Sequence, residues 1–435
     1  MHPMGVLINE RVLRRPVGSP AYAAVLLFAG ALLVRILFNT QVVEMHEAGL
    51  ELFPDGKDYD ALGVSLAQGT GYAIHGTPNT FRPPGYPFFL AALYTVFGHS
   101  YAAVKVIQSV LGALTCLMIL AIGQRLLTYR VGMIAAAIAA VYPFLILYTG
   151  FLLSESLFVF LSTVFLYVLV RVREHSAGKW VALGGLILGV MNLVRPVTLL
   201  FPVFLFFWAW IEFGTKKRAA VTACMMTIWM MIPIVPWMAR NYTVTHSYML
   251  IDDHHWLGLY IGNNRTILRD PGAIGGWLEP VRVEGFQPTF TADDYRSASL
   301  AFLREYLLHE PWELVRLEFY KLVRFWSVFP TSARTTYRDA IVSVCSYGLL
   351  LPLFAIGVVL SWRGPHKPWV LIVWILNFCL VTLITFGSTR FRAPVEPALI
   401  LFGAFTLDWC WARFFGGWHA PEAKPPAASH RVCAR

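Results

Sequence analysis

Ten apolar runs divide this chain, most of them close to the length of a bilayer crossing, and they leave it few possible folds. A helix needs about 20 apolar residues to span the hydrocarbon core. The runs are Ala21–Phe38, Ala103–Leu127, Val131–Tyr148, Phe151–Val172, Trp180–Val194, Val197–Phe213, Ala219–Ala239, Ala340–Trp362, Trp369–Phe386 and Ala393–Ala412. The expected fold class is an all-α polytopic membrane protein with about ten transmembrane helices. Composition agrees: only 14% of the 435 residues are charged, against about 25% in soluble proteins. That excludes a water-soluble globular enzyme, and the apolar fraction excludes a disordered chain. The Arg195-Pro196 step separates the fifth run from the sixth, because proline disfavours helix in the residue before it. Gly150 and the polar Ser154-Glu155 divide the third from the fourth.

The net charge of +10 reads as orientation rather than nucleic-acid binding. Loops on the cytosolic side of a membrane protein carry surplus Lys and Arg. With Arg11, Arg14 and Arg15 in the cytosol, Arg125/Arg130, Arg171/Arg173/Lys179, Lys216/Lys217/Arg218 and Arg363/Lys367 all fall inside, as do Arg413, Lys424, Arg431 and Arg435. Both termini are then cytoplasmic, in a bacterial-type inner membrane. The first run is long, contains Arg35 and lacks a small-x-small cleavage site, so it is expected to remain as an anchor. The expected organisation is a cytosolic N-terminus (1–20), seven helices (21–239), an external loop domain (240–339), three more helices (340–412) and a partly disordered cytosolic tail (413–435). Residues 41–82 form a first external loop, and 84–98 are too short to span and suit an interfacial helix. Within the larger loop, Thr291 to Asp294 form a capping-box pattern. Pro311 opens an amphipathic helix with Leu314, Leu317, Leu322 and Phe325 on one side and Glu313, Arg316, Lys321 and Arg324 between them, suited to a membrane surface. Gly185 and Gly189 form a GxxxG pair that suits helix packing. None of the six cysteines forms a CxxC or zinc spacing, and no disulfide is expected in the larger loop.

The two outer loops hold 18 of the 25 acids. The first has Glu44, Glu47, Glu51, Asp55, Asp58 and Asp60 against a single Lys57. Some of these are simply a solvated face; so many beside a membrane surface still point to use. The prolines of Phe81-Arg82-Pro83-Pro84-Gly85-Tyr86-Pro87 fix the backbone and hold Arg82 at the interface. An arginine at that depth suits a lipid-linked phosphate. Glu155 lies near the outer end of the fourth span, either as a functional acid or in a buried ion pair with Arg195 or Arg390. Arg195, Arg240, Arg390 and Arg392 fall near the outer surface, against the positive-inside trend, and are candidate phosphate ligands; a headgroup contact or a salt bridge serves each equally well. Asp252-Asp-His-His255 reads as a polar loop rather than a metal cluster, since adjacent residues point apart.

Read in order, these segments resemble a known family. They are Asp55-x-x-x-Tyr59, Leu66-Ala-Gln-Gly69-x-Gly71-Tyr72, Arg82-Pro-Pro-Gly-Tyr-Pro87, Leu153-Ser-Glu155-Ser-Leu, Asn192-Leu-Val-Arg195-Pro196, Pro236-Trp-x-x-Arg240-Asn241-Tyr242, Ile261-Gly-Asn-Asn264 and Arg390-Phe-Arg392-x-Pro394-x-x-Pro397. The chain resembles membrane glycosyltransferases of the GT-C superfamily, in particular bacterial protein-mannosyltransferase-like and lipid A aminoarabinose transferase-like enzymes. The resemblance implies transfer of a sugar from a polyprenyl-phosphate donor to a lipid, glycan or protein acceptor on the non-cytoplasmic face. It implies Asp55 as catalytic base, with Asp58 the next candidate, and Tyr59, Tyr86 and Glu155 in the substrate cleft. Relatives often follow the first acid with Glu; here Gly56 stands there. Where some relatives carry Glu-Lys-Pro-Pro, with a metal-binding Glu, this chain has Phe81-Arg82. No metal ligand set is therefore assigned, and a divalent metal stays open.

The chemistry agrees without the family. Transfer from a lipid phosphate needs one base for the acceptor proton. The phosphate is already a good leaving group and wants cations, not an acid. One carboxylate with an arginine cluster implies a single displacement with inversion, by extension from inverting hydrolases. A polymerase or ligase of lipid-linked glycans would share this topology but use a pyrophosphate donor. A transporter would show repeat halves and broken helices near mid-membrane; no repeat is evident here.

Overall fold

The computed structural model describes residues 20–42, 54–175, 178–287, 291–330, 336–363 and 367–414. The basic N-terminus, Glu44, Glu47, Glu51 and the Ala/Pro-rich tail lie outside the described residues. The fold is helical throughout, apart from one hairpin of two-residue strands, β1 (Ala73–Ile74) and β2 (Thr77–Pro78), in which Ala73 pairs with Pro78. The first helices are α1 (Pro20–Val42), α2 (Pro54–Ala67), α3 (Gly85–Phe97), α4 (Tyr101–Leu126), α5 (Tyr129–Val141) and α6 (Pro143–Leu147). Next come α7 (Glu155–His175), α8 (Gly178–Val194), α9 (Phe201–Phe213) and α10 (Lys216–Thr245). A smaller set follows: α11 (His254–Gly262), α12 (Arg265–Arg269), α13 (Ala292–His309) and α14 (Pro311–Phe325). The chain ends with α15 (Tyr337–Ser343), α16 (Leu349–Trp362), α17 (Trp369–Ile384) and α18 (Glu396–Phe414). A π-helical turn, Val344–Gly348, joins α15 to α16.

Each of the ten apolar runs contains helix, but they are not ten equal spans. Among the described residues, five helices are long and apolar enough to cross a membrane: Ala21–Gln41, Tyr101–Leu126, Glu155–His175, Lys216–Thr245 and Tyr337–Trp362. The third run is not one straight helix. Pro143 breaks it, and the two parts meet at a 56° bend, as proline must do where it removes a backbone donor and clashes with the preceding turn. α8, α9 and α17 are apolar but shorter. Gly185 and Gly189 face Met226, Trp229, Met230 and Pro233 of α10, with no room for a Cβ, so the GxxxG pair packs helices.

The break after α5 leaves C-terminal carbonyls without helical partners, and a buried arginine takes them. Arg35, fully enclosed on α1, donates to the carbonyls of Ala140 at 3.1 Å and Ala139 at 3.2 Å, and to that of Ala31 at 2.9 Å. A cation at a helix C-terminus is also favoured by the helix dipole. The turn beyond the break is held in the same way: Gln108 donates to the carbonyls of Thr149 and Phe151 at 3.2 and 2.8 Å. Arg35→Met keeps the volume but strands these acceptors. It is expected to cost about 1–3 kcal/mol of stability, seen as a lowered Tm in detergent.

A second apolar cluster, separate from the core of the long helices, unites α11 to α14; it includes Leu257, Ile261, Ile267, Phe302, Tyr306 and Leu317. The Thr291–Asp294 capping box opens α13 as the pattern implies, and Pro311 opens α14. α14 departs from the expected face in one respect: Lys321 is buried between Leu317 and Phe325, while Trp312, Val315 and Phe319 point outward. Its C-terminal end joins the long helices, where Trp326 stacks on Phe354 of α16 at 5.7 Å.

Candidate active site

Three loops bring the charged residues of the site together. Pro54 starts α2, which puts Asp55 in the first turn, where the helix N-terminus stabilises a carboxylate. Asp58 follows one turn later on the same side. Asp60 turns away and accepts from the hydroxyls of Tyr94 (2.6 Å) and Tyr101 (2.8 Å), which ties α2 to α3 and α4. The turn after the hairpin presents Arg82, whose backbone N–H donates to Asn79 Oδ1 at 2.9 Å. A Cβ on Gly85 would lie 2.8 Å from the backbone of Leu193 and Val194, so this turn presses on the end of α8. There Pro196 holds Arg195 in extended backbone (φ −150°, ψ 117°) and ends the helix. Arg390 comes from the far end of the sequence, on a 3-10 turn capped by Ser388.

The charges alternate. Arg82 pairs with Asp58 at 2.7 Å and with Asp55 at 2.9 Å. The other oxygen of Asp55 accepts from Arg390 at 2.8 Å. Arg390 also pairs with Glu155, whose same oxygen meets Arg195 at 2.6 Å. Three carboxylates and three guanidiniums thus form one chain of ion pairs. Glu155 is almost fully enclosed, whereas Asp55 keeps 29% of its side chain exposed. Pairing is what allows charges to be buried at all. Burial alone would lower the pKa of Arg390; the fields of Glu155 and Asp55 outweigh it and raise it, so the guanidinium stays charged. Burial, then the Asp55 carboxylate, push the Tyr59 hydroxyl up, so it stays protonated.

A cavity of about 2430 Å³ opens beside this chain. Asp55, Tyr59, Arg82, Arg195 and Arg390 line one part of it. Leu147, Val197, Leu199 and Leu200 give it an apolar side, and Asp252, Trp256, Trp277 and Asp293 line a polar and aromatic part beyond.

Not every residue singled out in the sequence reaches this cavity. Asp58 holds Arg82 from behind and does not line it. Tyr86 is fully buried, and its hydroxyl donates to Gln108 Oε1 at 2.8 Å; it supports the 148–154 turn rather than the cleft. Arg240 is spent on the hairpin, donating to the carbonyls of Asn79 (2.7 Å) and Tyr72 (3.0 Å). Arg392 is enclosed and donates to Glu396 at 3.3 Å and to the carbonyl of Ser327 at 2.9 Å. Neither arginine lines the cavity. Both donate to backbone carbonyls, which a count of outer-surface arginines does not reveal. Two further residues support the site, and each carries a signal in the sequence. Asn79 sits three residues before Arg82 in a Pro-flanked turn, the position of an Asx-type contact. Lys321 falls at helical spacing between Leu317 and Phe325, inside an apolar stripe.

Among the described residues no group of three or more His, Cys, Asp or Glu is placed to hold a metal. Each carboxylate of the chain faces a guanidinium instead. Paired in this way, these carboxylates are not arranged as a metal ligand set.

The fold is a helical bundle with apolar helices of membrane-crossing length and a site between the α2 segment and the helix ends. Residues 81–238 match the family described as dolichyl-phosphate-mannose-protein mannosyltransferase. Among solved structures, the chain is similar to ArnT from Cupriavidus metallidurans bound to undecaprenyl phosphate, with TM-score 0.56 and 15% identity over 92% of this chain and 62% of that one. It is also similar to the oligosaccharyltransferase of Archaeoglobus fulgidus in its apo form (TM-score 0.55, 14% identity, 92% of this chain and 52% of that one). The archaeal AglB in complex with an inhibitory peptide and a dolichol-phosphate gives TM-score 0.51 and 13% identity, over 94% of this chain and 53% of that one. The chain therefore spans between about half and 62% of the length of these proteins. No curated protein sequence matches it.

Proposed function

We propose that the chain is a membrane glycosyltransferase that moves a sugar from a polyprenyl-phosphate donor to a lipid, glycan or protein acceptor on the non-cytoplasmic face. The observation that carries this is the placement of Asp55, partly open to the cavity and held between two guanidiniums. Arg390, Arg82 and Arg195 receive the donor phosphate, whose negative charge grows as the glycosidic bond breaks. The apolar side of the cavity takes the first isoprene units. Asp55 removes the acceptor proton as the acceptor oxygen attacks the anomeric carbon, and the polyprenyl phosphate leaves on the arginines. One displacement inverts the anomeric configuration.

In the resting pairing both oxygens of Asp55 accept from guanidiniums, Oδ1 from Arg82 and Oδ2 from Arg390. An arriving phosphate shares those guanidiniums and frees the carboxylate to accept from the acceptor hydroxyl. No step needs a divalent metal. The matched family and the donor lipids of the similar structures, undecaprenyl phosphate and dolichol phosphate, support this reading.

Purified protein offered the same sugar on a polyprenyl monophosphate and on a pyrophosphate is expected to turn over only the first. Turnover of the pyrophosphate alone would favour a polymerase or ligase of lipid-linked glycans.

A further inference from the structure

Arg390 is the one cavity-lining arginine that arrives from the last fifth of the chain, and the segment carrying it is gripped by the smaller helical set. α17 ends at Ile384, and its last carbonyls need partners. Lys321 of α14 supplies one: its ammonium donates to the carbonyl of Leu383 at 2.7 Å. Its other two contacts are Glu318 Oε1 at 2.7 Å and Asn263 Oδ1 at 2.9 Å, so all three of its donors are used. Asn263, at the end of α11, donates to the carbonyl of Ile384 at 2.9 Å. A buried cation and an amide from the smaller helical set therefore cap the apolar helix α17, at the end where the dipole favours positive charge.

The backbone beyond the cap is pinned to the same elements. Gly387 N–H donates to the carbonyl of Gly275 at 2.7 Å. Gly275 has φ +72°, and a Cβ there would lie 2.6 Å from the backbone of Tyr320 and Lys321. Gly262 leaves no room for a Cβ against Thr385. Trp277 meets Phe386 edge-on at 5.1 Å, and Phe386 packs on Phe391 at 4.9 Å. Two residues separate Gly387 from Arg390, and Arg390 then reaches Asp55 and Glu155.

We infer that Lys321, with Asn263, is a positioning residue for donor binding: it caps α17 and so fixes the turn that aims Arg390 into the site. The smaller helical set is then part of the phosphate site and not only a cover. This inference rests on Arg390 being a ligand of the donor phosphate.

The test is a double-mutant cycle on the purified full-length protein, titrated with undecaprenyl phosphate lacking a sugar. Arg390→Gln is expected to weaken binding by about 10- to 100-fold. Lys321→Met should weaken it by about 5- to 10-fold, a coupling of ordinary size for a residue that touches no ligand. The double variant should bind no worse than Arg390→Gln alone, because Lys321 acts through Arg390. A lysine with a merely structural role would lower Tm and cost affinity equally in both backgrounds. Wild-type affinity in Lys321→Met, or losses that multiply in the double variant, would overturn the inference and leave Arg390 as a phosphate ligand. Wild-type affinity in Arg390→Gln would instead overturn the phosphate reading itself. Should Lys321→Met fail to fold, Asn263→Ala removes the milder half of the cap. It is expected to weaken binding about 2- to 3-fold, again without effect beyond Arg390→Gln; an unchanged affinity there counts against the inference.

Discussion

Asp55→Asn is expected to lower kcat by about 10²- to 10⁴-fold, the range contributed by a positioned general base. The substitution is nearly isosteric. The amide oxygen can still accept from one guanidinium, so the fold and much of the donor affinity should persist. What is lost is the capacity to take a proton, and the effect belongs in kcat rather than KM. Asp58→Asn provides the contrast. Asp58 holds Arg82 from outside the cavity, so its loss should act through donor affinity, by about tenfold or less, a scale set by one partly exposed charged pair. Steady-state kinetics of both variants with one donor and one acceptor separates the two roles. Equal kcat losses for the two acids would remove Asp55 from its assigned role.

The second large effect is expected from Arg390→Gln. Arg390 bridges Asp55 and Glu155, so its removal does two things. It takes away a phosphate ligand, which should raise the donor KM by about 10- to 100-fold. It also leaves the enclosed Glu155 with one guanidinium, Arg195, in place of two, which should cost about 1–3 kcal/mol of stability, the scale of a lost hydrogen bond to a buried charged group. The pairing suggests its own rescue. Arg390→Gln combined with Glu155→Gln removes the carboxylate that has lost half its pairing and should recover part of the lost Tm, while the donor KM stays high. Thermal unfolding and kinetics on the single and double variants check both halves. If stability and KM recover together, Arg390 serves the fold and not the donor.

Much of this architecture was legible because the physics behind it is local. A run of apolar residues of bilayer length has few alternatives to a helix, and the capping box at Thr291 and the proline at Pro311 announce their helices. The break at Pro143 was legible in principle, yet the apolar run continues across it. The site was legible in part. Asp55 and Arg82 lie close in sequence, between turn signals that fix their backbone. The pairing of Asp55 with Arg390 crosses 335 positions, and no local pattern encodes it. Arg240 and Arg392 show why: an arginine near the end of a span looks the same whether its donors meet a cavity or a loop carbonyl. Glu155 likewise pairs with both Arg195 and Arg390, where the sequence offered either one. Lys321 was read as part of a polar face because charge usually means solvent. Its burial follows from the need to cap α17, a helix more than forty residues downstream.

A single displacement from a lipid monophosphate at this chain of ion pairs can be followed by tracing one sugar through turnover. Membranes containing the wild-type protein or Asp55→Asn would be given a panel of radiolabelled, anomerically pure polyprenyl-phosphate sugars, and the labelled product would be isolated. With one donor the label is expected to leave the lipid in the wild type, stay on it in Asp55→Asn, and appear in the product with inverted configuration. Retained configuration, or equal release of label by both proteins, would contradict it.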